Sequence, residues 1–207
     1  GFKVLKIASY DCGSFPLIKD AADNFQELIV STGASYIDEI KRTTNYLNKK
    51  NKKFSLLHCT TIYPTPINKI NIRKLNILKK LCNEVGFSDH SKSFCKNELL
   101  ASKLSIYFGA TVIERHITML KPDKTKDGIV SITPNKIKEL LEFSELNKSE
   151  QKKILLNKYQ INVSKFNKKI ILDLSDAEKL NRDYYRGRFV SKIYKRDIYN
   201  WEDYSPI

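Results

Sequence analysis

No run of about 18 apolar residues occurs in this sequence, so no segment reads as a membrane-spanning helix. The opening GFKVLKIASY lacks the charged, apolar and small-residue zones of a secretory signal. A cytoplasmic protein with no membrane partner is therefore expected. Cysteine is scarce: Cys12, Cys59, Cys82 and Cys95 show no CxxC pairing and sit in apolar or strand-like contexts, where reduced packing thiols are expected. Also absent are zinc-finger spacing, an aromatic ribonucleoprotein motif and a compact arginine cluster. The formal net charge of +14 favours an anionic partner, but it is spread through segments such as KKNKKF and NKSEQKK, which read as solvated helix ends. No nucleic-acid partner is expected. With 41% hydrophobic residues in 207, the chain can bury one full-sized core, and nothing argues for disorder or a fibre.

What is present is a repeat. Short apolar runs rich in β-branched residues start at 2 (FKVLKIAS), 27 (ELIVSTG), 54 (FSLLHCT), 85 (VGFSDH) and 111 (TVIERHIT), and each is followed by helical spacing. Intervals of about 25 to 31 residues hold one strand, one helix and two short loops, so the pattern predicts βα units and a parallel sheet. The spacing predicts helices over 35–50, 71–84 and 96–108, and a further one opened by Pro134. Beyond about residue 147 the period is lost. The segment LNKSEQKKILLNKYQINVSKFNKKI is polar and Lys-rich without turn grammar, and the ending concentrates aromatics and arginines. A division into 1–147 and a C-terminal extension, 148–207, is expected.

Histidine is rarer still. His58, His90 and His116 all fall at the C-terminal ends of predicted strands, the rim where the loops of a parallel α/β barrel gather its active site. His58 is either a site residue or a hydrogen-bonded structural imidazole. His90 and His116 end adjacent strands, and each has a polar companion two residues earlier, Ser88 and Glu114. Residues at i and i+2 of a strand face the same way, so all four can point into one cavity. Two imidazoles on neighbouring strands make a divalent-metal site with positions left for exchange. SDH is no serine triad, because three consecutive strand residues cannot relay a proton along one face. Lys6 and Ser9 on the first strand, Asp11 after it, and Ser31, Thr32 and Gly33 after the second supply donors suited to a phosphate or carboxylate. Tyr63 follows the third strand in TTIYPTP, where prolines stiffen the loop.

The series KIAS, STG, LLHCTTIYPTP, GFSDH and GATVIERHIT, in this order and spacing, resembles the N-acetylneuraminate (sialic acid) synthase family. That family includes legionaminic and pseudaminic acid synthases and spore-coat polysaccharide enzymes. The resemblance covers residues 2 to about 146, and LNRDYYRGRFVSK resembles the tail of one branch. It implies a (β/α)8 TIM barrel of which only the last five βα units are present, plus the C-terminal extension. It implies condensation of phosphoenolpyruvate with an N-acyl amino sugar to a nonulosonic acid and phosphate, in surface carbohydrate biosynthesis. His90 and His116 would bind manganese or magnesium, Lys6, Ser9 and Ser88 would hold phosphoenolpyruvate, and Glu114 would lie beside the reacting atoms. Tyr63 and Asp127 would contact the sugar. Asp11 stands where many members have Glu, and Thr61 where some have Asn, which bears on sugar specificity.

A closed barrel needs eight units, so the resemblance also implies three N-terminal strands beyond those here and a C-terminal domain that lends an arginine to a neighbouring subunit. Arg186 or Arg188 in YYRGRF is either a stand-in for that arginine or a packing residue. An open sheet is expected to expose Val4, Leu57 and Ile113 and to leave edges that pair with another chain. A homodimer, or association with the missing N-terminal half, follows from that expectation. The competing expectation is a truncated, non-catalytic barrel that serves as a sugar- or metal-binding partner subunit.

Overall fold

The computed structural model of the protein describes residues 1–165, 170–186, 190–193 and 195–199. β1 (Val4–Ile7), β2 (Glu27–Ser31), β3 (Lys53–Cys59), β4 (Glu84–Asp89), β5 (Val112–Ile117) and β6 (Ser131–Ile132) form one parallel sheet in sequential order. The five expected strands are all present, and the short β6 extends the sheet past the fifth by pairing His116 with Ser131. Phe54 to Cys59 are buried without a break in the central strand, as in a parallel sheet covered on both faces. The sheet is curled into a half-barrel. Lys6 Nζ of the first strand lies 2.9 Å from Glu114 Oε1 of the fifth.

Leu57 departs from the expectation of exposure: it is 1% exposed, while Val4 on the edge strand is 46% exposed and Ile113 is half-buried. The cause is Gly86 on the neighbouring strand. A Cβ there would stand 2.4 Å from Leu57 Cδ2 and 2.3 Å from the Val112 carbonyl oxygen, so the missing side chain makes room for Leu57 to lie across it.

The outer layer is α1 (Phe15–Asn24), α2 (Ile37–Lys49), α3 (Leu75–Leu78), α4 (Leu100–Tyr107) and α5 (Pro134–Glu145). Pro16 opens the first of these and Pro134 the last. The helix expected over 71–84 is only one turn of α-helix behind a 3₁₀ turn at Ile72–Lys74. Residues just beyond it serve as anchors instead: Lys79 Nζ donates to the Phe108 carbonyl and Cys82 Sγ to that of Phe54.

Helix α6 (Lys148–Tyr159) lies where the sequence pattern was lost. Asn147 accepts from the Ser149 and Glu150 amides, and Glu150 accepts from the Asn147 amide, a reciprocal cap. One narrow stripe, Gln151, Leu155 and Tyr159, is buried against α4, and the last two belong to the main core. Gln151 Nε2 also donates to the Phe143 and Leu146 carbonyls at the end of α5. Residue 147, the expected division, is therefore the cap of a helix that packs on the βα layers. An antiparallel pair, β7 (Val190–Ile193) and β8 (Arg196–Tyr199), follows the last helix.

That last helix, α7 (Asp176–Arg186), lies over the loops that follow β1, β2 and β3. Asn181 donates to the Thr61 carbonyl at 2.6 Å, Arg182 to that of Ala34 at 2.6 Å and Arg186 to that of Tyr10 at 3.2 Å. Both arginines also grip Glu39 of α2, Arg182 with two nitrogens at 2.6 and 2.8 Å and Arg186 at 2.7 Å. Tyr185 stacks on Tyr10 with ring centroids 4.3 Å apart. Burial pushes the Glu39 carboxyl up, but the hydrogen bonds from Arg182 and Arg186 outweigh it and hold the group down at about 2.

A depressed carboxylate stabilises the fold above its unfolded titration range and loses that contribution as pH falls towards its folded value. Glu39→Gln should destabilise the chain by about 3 kcal/mol near neutrality, since two arginines lose their shared partner. The difference from wild type should shrink as pH falls from about 4.5 to about 2. Thermal unfolding of both proteins across that range checks it; a constant difference would mean that the charge of Glu39 is immaterial.

Candidate active site

The register of the strands decides which side chains meet. Cys59 pairs with Ser88, and Ser88 with Glu114, so three polar residues from adjacent strands form one inward row at the C-terminal rim. His90 follows β4 directly, and its ring centroid is 5.3 Å from that of His116. Tyr63 packs on the other side of His90, ring centroids 4.1 Å apart, and Cys59 Sγ lies 3.6 Å from His90 Nδ1. Lys6 reaches the row through its ion pair with Glu114.

The outward residues hold this row in place. Asp89 and Arg115 are paired in register on β4 and β5 and join in a buried ion pair at 2.7 Å. Asp89 further accepts from Ser102 Oγ at 2.5 Å and the Ser91 amide at 2.8 Å, and Arg115 donates to Ser91 and Ser93 at 3.0 Å each. Each charged residue sits one position from a rim histidine, so the outer clamp fixes where the inner imidazoles point.

Ser9 and Asp11 form the 3₁₀ turn after β1, with Ser9 buried. Ser9 stands against Gly33 and Thr61: a Cβ on Gly33 would be 2.9 Å from Ser9 Oγ, 2.7 Å from Thr61 Cγ2 and 3.1 Å from Cys59 Cβ. Gly33 in STG therefore permits the loops after β1, β2 and β3 to close on one another. Asp127 is exposed at the start of a 3₁₀ turn, and its carboxylate makes no hydrogen bond or ion pair among the described residues. Its backbone carbonyl holds Ser131 Oγ at 2.8 Å, beside His116. Arg186 is 3% exposed and held by Glu39 and the Tyr10 carbonyl; Arg188 lies outside the described residues.

His58 faces the other way, as strand alternation with Cys59 requires. Its Nε2 lies 2.6 Å from the Ile70 carbonyl, and burial pushes the imidazole down to about 3, so it is a neutral structural histidine. Burial likewise lowers His90 to about 4, with nearby His116 adding to the effect. Cys59 is pushed up to about 11 by burial, which keeps it a thiol. Glu114 is raised by burial but lowered more by the hydrogen bond and charge of Lys6, so it is ionised.

These states suit a divalent cation. His90 offers neutral nitrogen, His116 faces it, and Glu114 Oε2 is a buried oxygen without a hydrogen-bond partner. Among the described residues no set of three His, Cys, Asp or Glu is arranged to hold a metal, so two imidazoles would leave most positions of an ion to water and substrate. Sequence reasoning missed Cys59 as a rim residue and the Asp89–Arg115 clamp. The signal for the clamp was present: SDH and ERH put opposite charges at matching positions of neighbouring strands.

The chain is similar to the N,N'-diacetyllegionaminic acid synthase of Campylobacter jejuni subsp. jejuni, at 33% identity over 170 residues, 74% of this chain and 49% of that protein. It is 28% identical over 205 residues to a pseudaminic acid synthase of the same subspecies, covering 98% of this chain and 54% of that one. Among solved structures, it resembles the N-acetylneuraminic acid (sialic acid) synthetase of Leptospira borgpetersenii with a TM-score of 0.65 and 27% identity, over 91% of this chain and 59% of that chain. The chain thus spans about half the length of the curated relatives it matches. Among the described residues no helix is long and apolar enough to cross a membrane. The NeuB family model matches residues 1–154, and the chain belongs to the NeuB family.

Proposed function

We propose that this chain carries the C-terminal rim of a synthase that condenses phosphoenolpyruvate with an N-acyl amino sugar, giving a nonulosonic acid and phosphate in surface carbohydrate biosynthesis. The observation that carries this reading is the inward cluster of Lys6, Glu114, Ser88, His90 and His116, a cation, a carboxylate, a hydroxyl and two imidazoles on one rim.

In the reaction, C3 of phosphoenolpyruvate forms a bond to the sugar aldehyde carbon, water adds at C2, and phosphate leaves with the C–O bonding pair. Lys6, Ser9 and Ser88 supply a point charge and hydroxyl donors for the phosphate and carboxylate. Glu114 keeps the Lys6 ammonium directed into the rim by its 2.9 Å ion pair. Tyr63, packed on His90 and half exposed, presents an aromatic wall and a phenol to the sugar. Asp11, Thr61 and Asp127 lie in the loops after β1, β3 and β5, where sugar specificity is set. His90 and His116 would hold manganese or magnesium, which as a Lewis acid polarises the aldehyde oxygen. Arg186 serves the reaction through α7 rather than by direct contact, since its guanidinium is taken up by Glu39 and Tyr10.

The alternative of a binding subunit without turnover draws on one observation, the exposed edge of β1 at Val4. Mass spectrometry of products from phosphoenolpyruvate, manganese and a panel of acyl amino sugars, with and without the N-terminal half of a relative, separates the readings. Product in either mixture supports the synthase; none in both supports the binding subunit.

His90→Ala and His116→Ala should each weaken manganese binding by roughly tenfold or more, because each removes half of the protein nitrogen ligands. Calorimetry that shows unchanged affinity in both would remove the metal from the site. Lys6→Ala should raise the KM for phosphoenolpyruvate at least about tenfold and leave that for the sugar nearly unchanged. An equal effect on both substrates would make Lys6 structural.

A further inference from the structure

Of the inward row Cys59, Ser88 and Glu114, the proposed reaction leaves Cys59 without a task. Cys59 ends β3, is 2% exposed and pairs in register with Ser88. Its sulfur lies 3.6 Å from His90 Nδ1, within hydrogen-bond reach of sulfur. That contact bears on what the other nitrogen of the ring can do.

A neutral imidazole carries one proton, on Nδ1 or on Nε2, and only the bare nitrogen can ligate a cation. Histidines that hold metals almost always donate from their second ring nitrogen to a carboxylate, a carbonyl or water. Among the described residues, the ring of His90 makes its hydrogen bond with Cys59 Sγ instead. The neighbouring carboxylate, Asp89, is committed on the opposite face to Arg115, Ser102 and the Ser91 amide. The hydroxyls of Ser9 and Ser88 also reach the Cys59 sulfur. The S–H can therefore turn to one of them and leave a lone pair facing Nδ1. The loop after β3 holds the imidazole in this pose: Tyr63 packs on the ring at 4.1 Å, and the Thr65 amide donates to the His90 carbonyl at 2.8 Å.

We propose that Cys59 is a positioning residue for His90: its sulfur accepts the Nδ1 proton and so reserves Nε2, with a free lone pair, for a divalent cation. The proposal rests on the reading of His90 as a metal ligand. A neutral thiol suits this place better than the usual carboxylate. It fixes the tautomer without bringing a further negative charge to a rim that has to receive anionic phosphoenolpyruvate.

The chain carries its own reference for the test. His58 Nε2 lies 2.6 Å from the Ile70 carbonyl, which can only accept, so a neutral His58 has its proton on Nε2. His90 should show the opposite tautomer. The full chain is labelled with ¹⁵N-histidine and studied by NMR, metal-free and with its thiols reduced, at about pH 8, where an imidazole is neutral. The three histidines give three ring patterns, and the one lost in His90→Asn belongs to His90. In the wild type, His90 should have Nδ1 protonated and Nε2 bare. In Cys59→Ala that preference should be lost while His58 is unchanged, and manganese affinity by calorimetry should fall at least about tenfold. A proton on Nε2 of His90 in the wild-type chain would overturn the proposal, whether or not the variant folds. So would a folded Cys59→Ala chain that keeps either the Nδ1–H tautomer or full manganese affinity. If manganese binds neither chain while the tautomer still depends on Cys59, the metal reading of the rim fails and the hold of the thiol on His90 stands.

Discussion

Asp89 and Arg115 carry opposite charges into the layer between sheet and helices, where neither is tolerated alone. Removing a charge from water costs several kcal/mol, and a buried pair recovers this only with good geometry and with its remaining donors and acceptors satisfied. Here Ser91, Ser93, Ser102 and the Ser91 amide satisfy most of them. A slip of β5 by one residue against β4 would leave both charges unpaired and turn Glu114 and His116 away from the interior. The pair thus fixes register, and register is what brings Ser88, His90, Glu114 and His116 to one rim.

A second layer of constraint acts across the curl of the sheet. Lys6 and Glu114 are four strands apart in the sheet order, and their contact shows the inward side chains converging as in a barrel. At the sheet edge, Val4 of β1 is left exposed. Ser9, Cys59, Ser88 and His90 are all buried along the inner wall.

Much of this was legible in the sequence because it follows from short-range periodicity. Five β-branched runs at regular intervals give five parallel strands, and alternation along GFSDH and VIERHI puts Ser88 with His90 and Glu114 with His116. What was not legible depends on partners far along the chain. Whether His58 was functional turned on Ile70, and whether Arg186 was free turned on Glu39, 147 positions away. Leu57 was misjudged because its cover comes from the absence of a side chain at Gly86. Helix α6 was missed for a local reason: its buried stripe is only one residue wide and includes Gln151, so it carries little hydrophobic signal, though the Asn147 to Glu150 cap was there to be read.

The hydrogen bonds that Asn181, Arg182 and Arg186 of α7 make to the rim loops end on main-chain oxygens, those of Thr61, Ala34 and Tyr10. Every amino acid has that oxygen. Apart from Tyr10, whose ring also stacks on Tyr185, the loops can therefore exchange side chains over evolutionary time without loosening these bonds. Drift on the helix side is not free in the same way, because there the donors are particular side chains. Divergence in such a chain should be asymmetric: permissive in the loops, conservative at positions 181, 182 and 186.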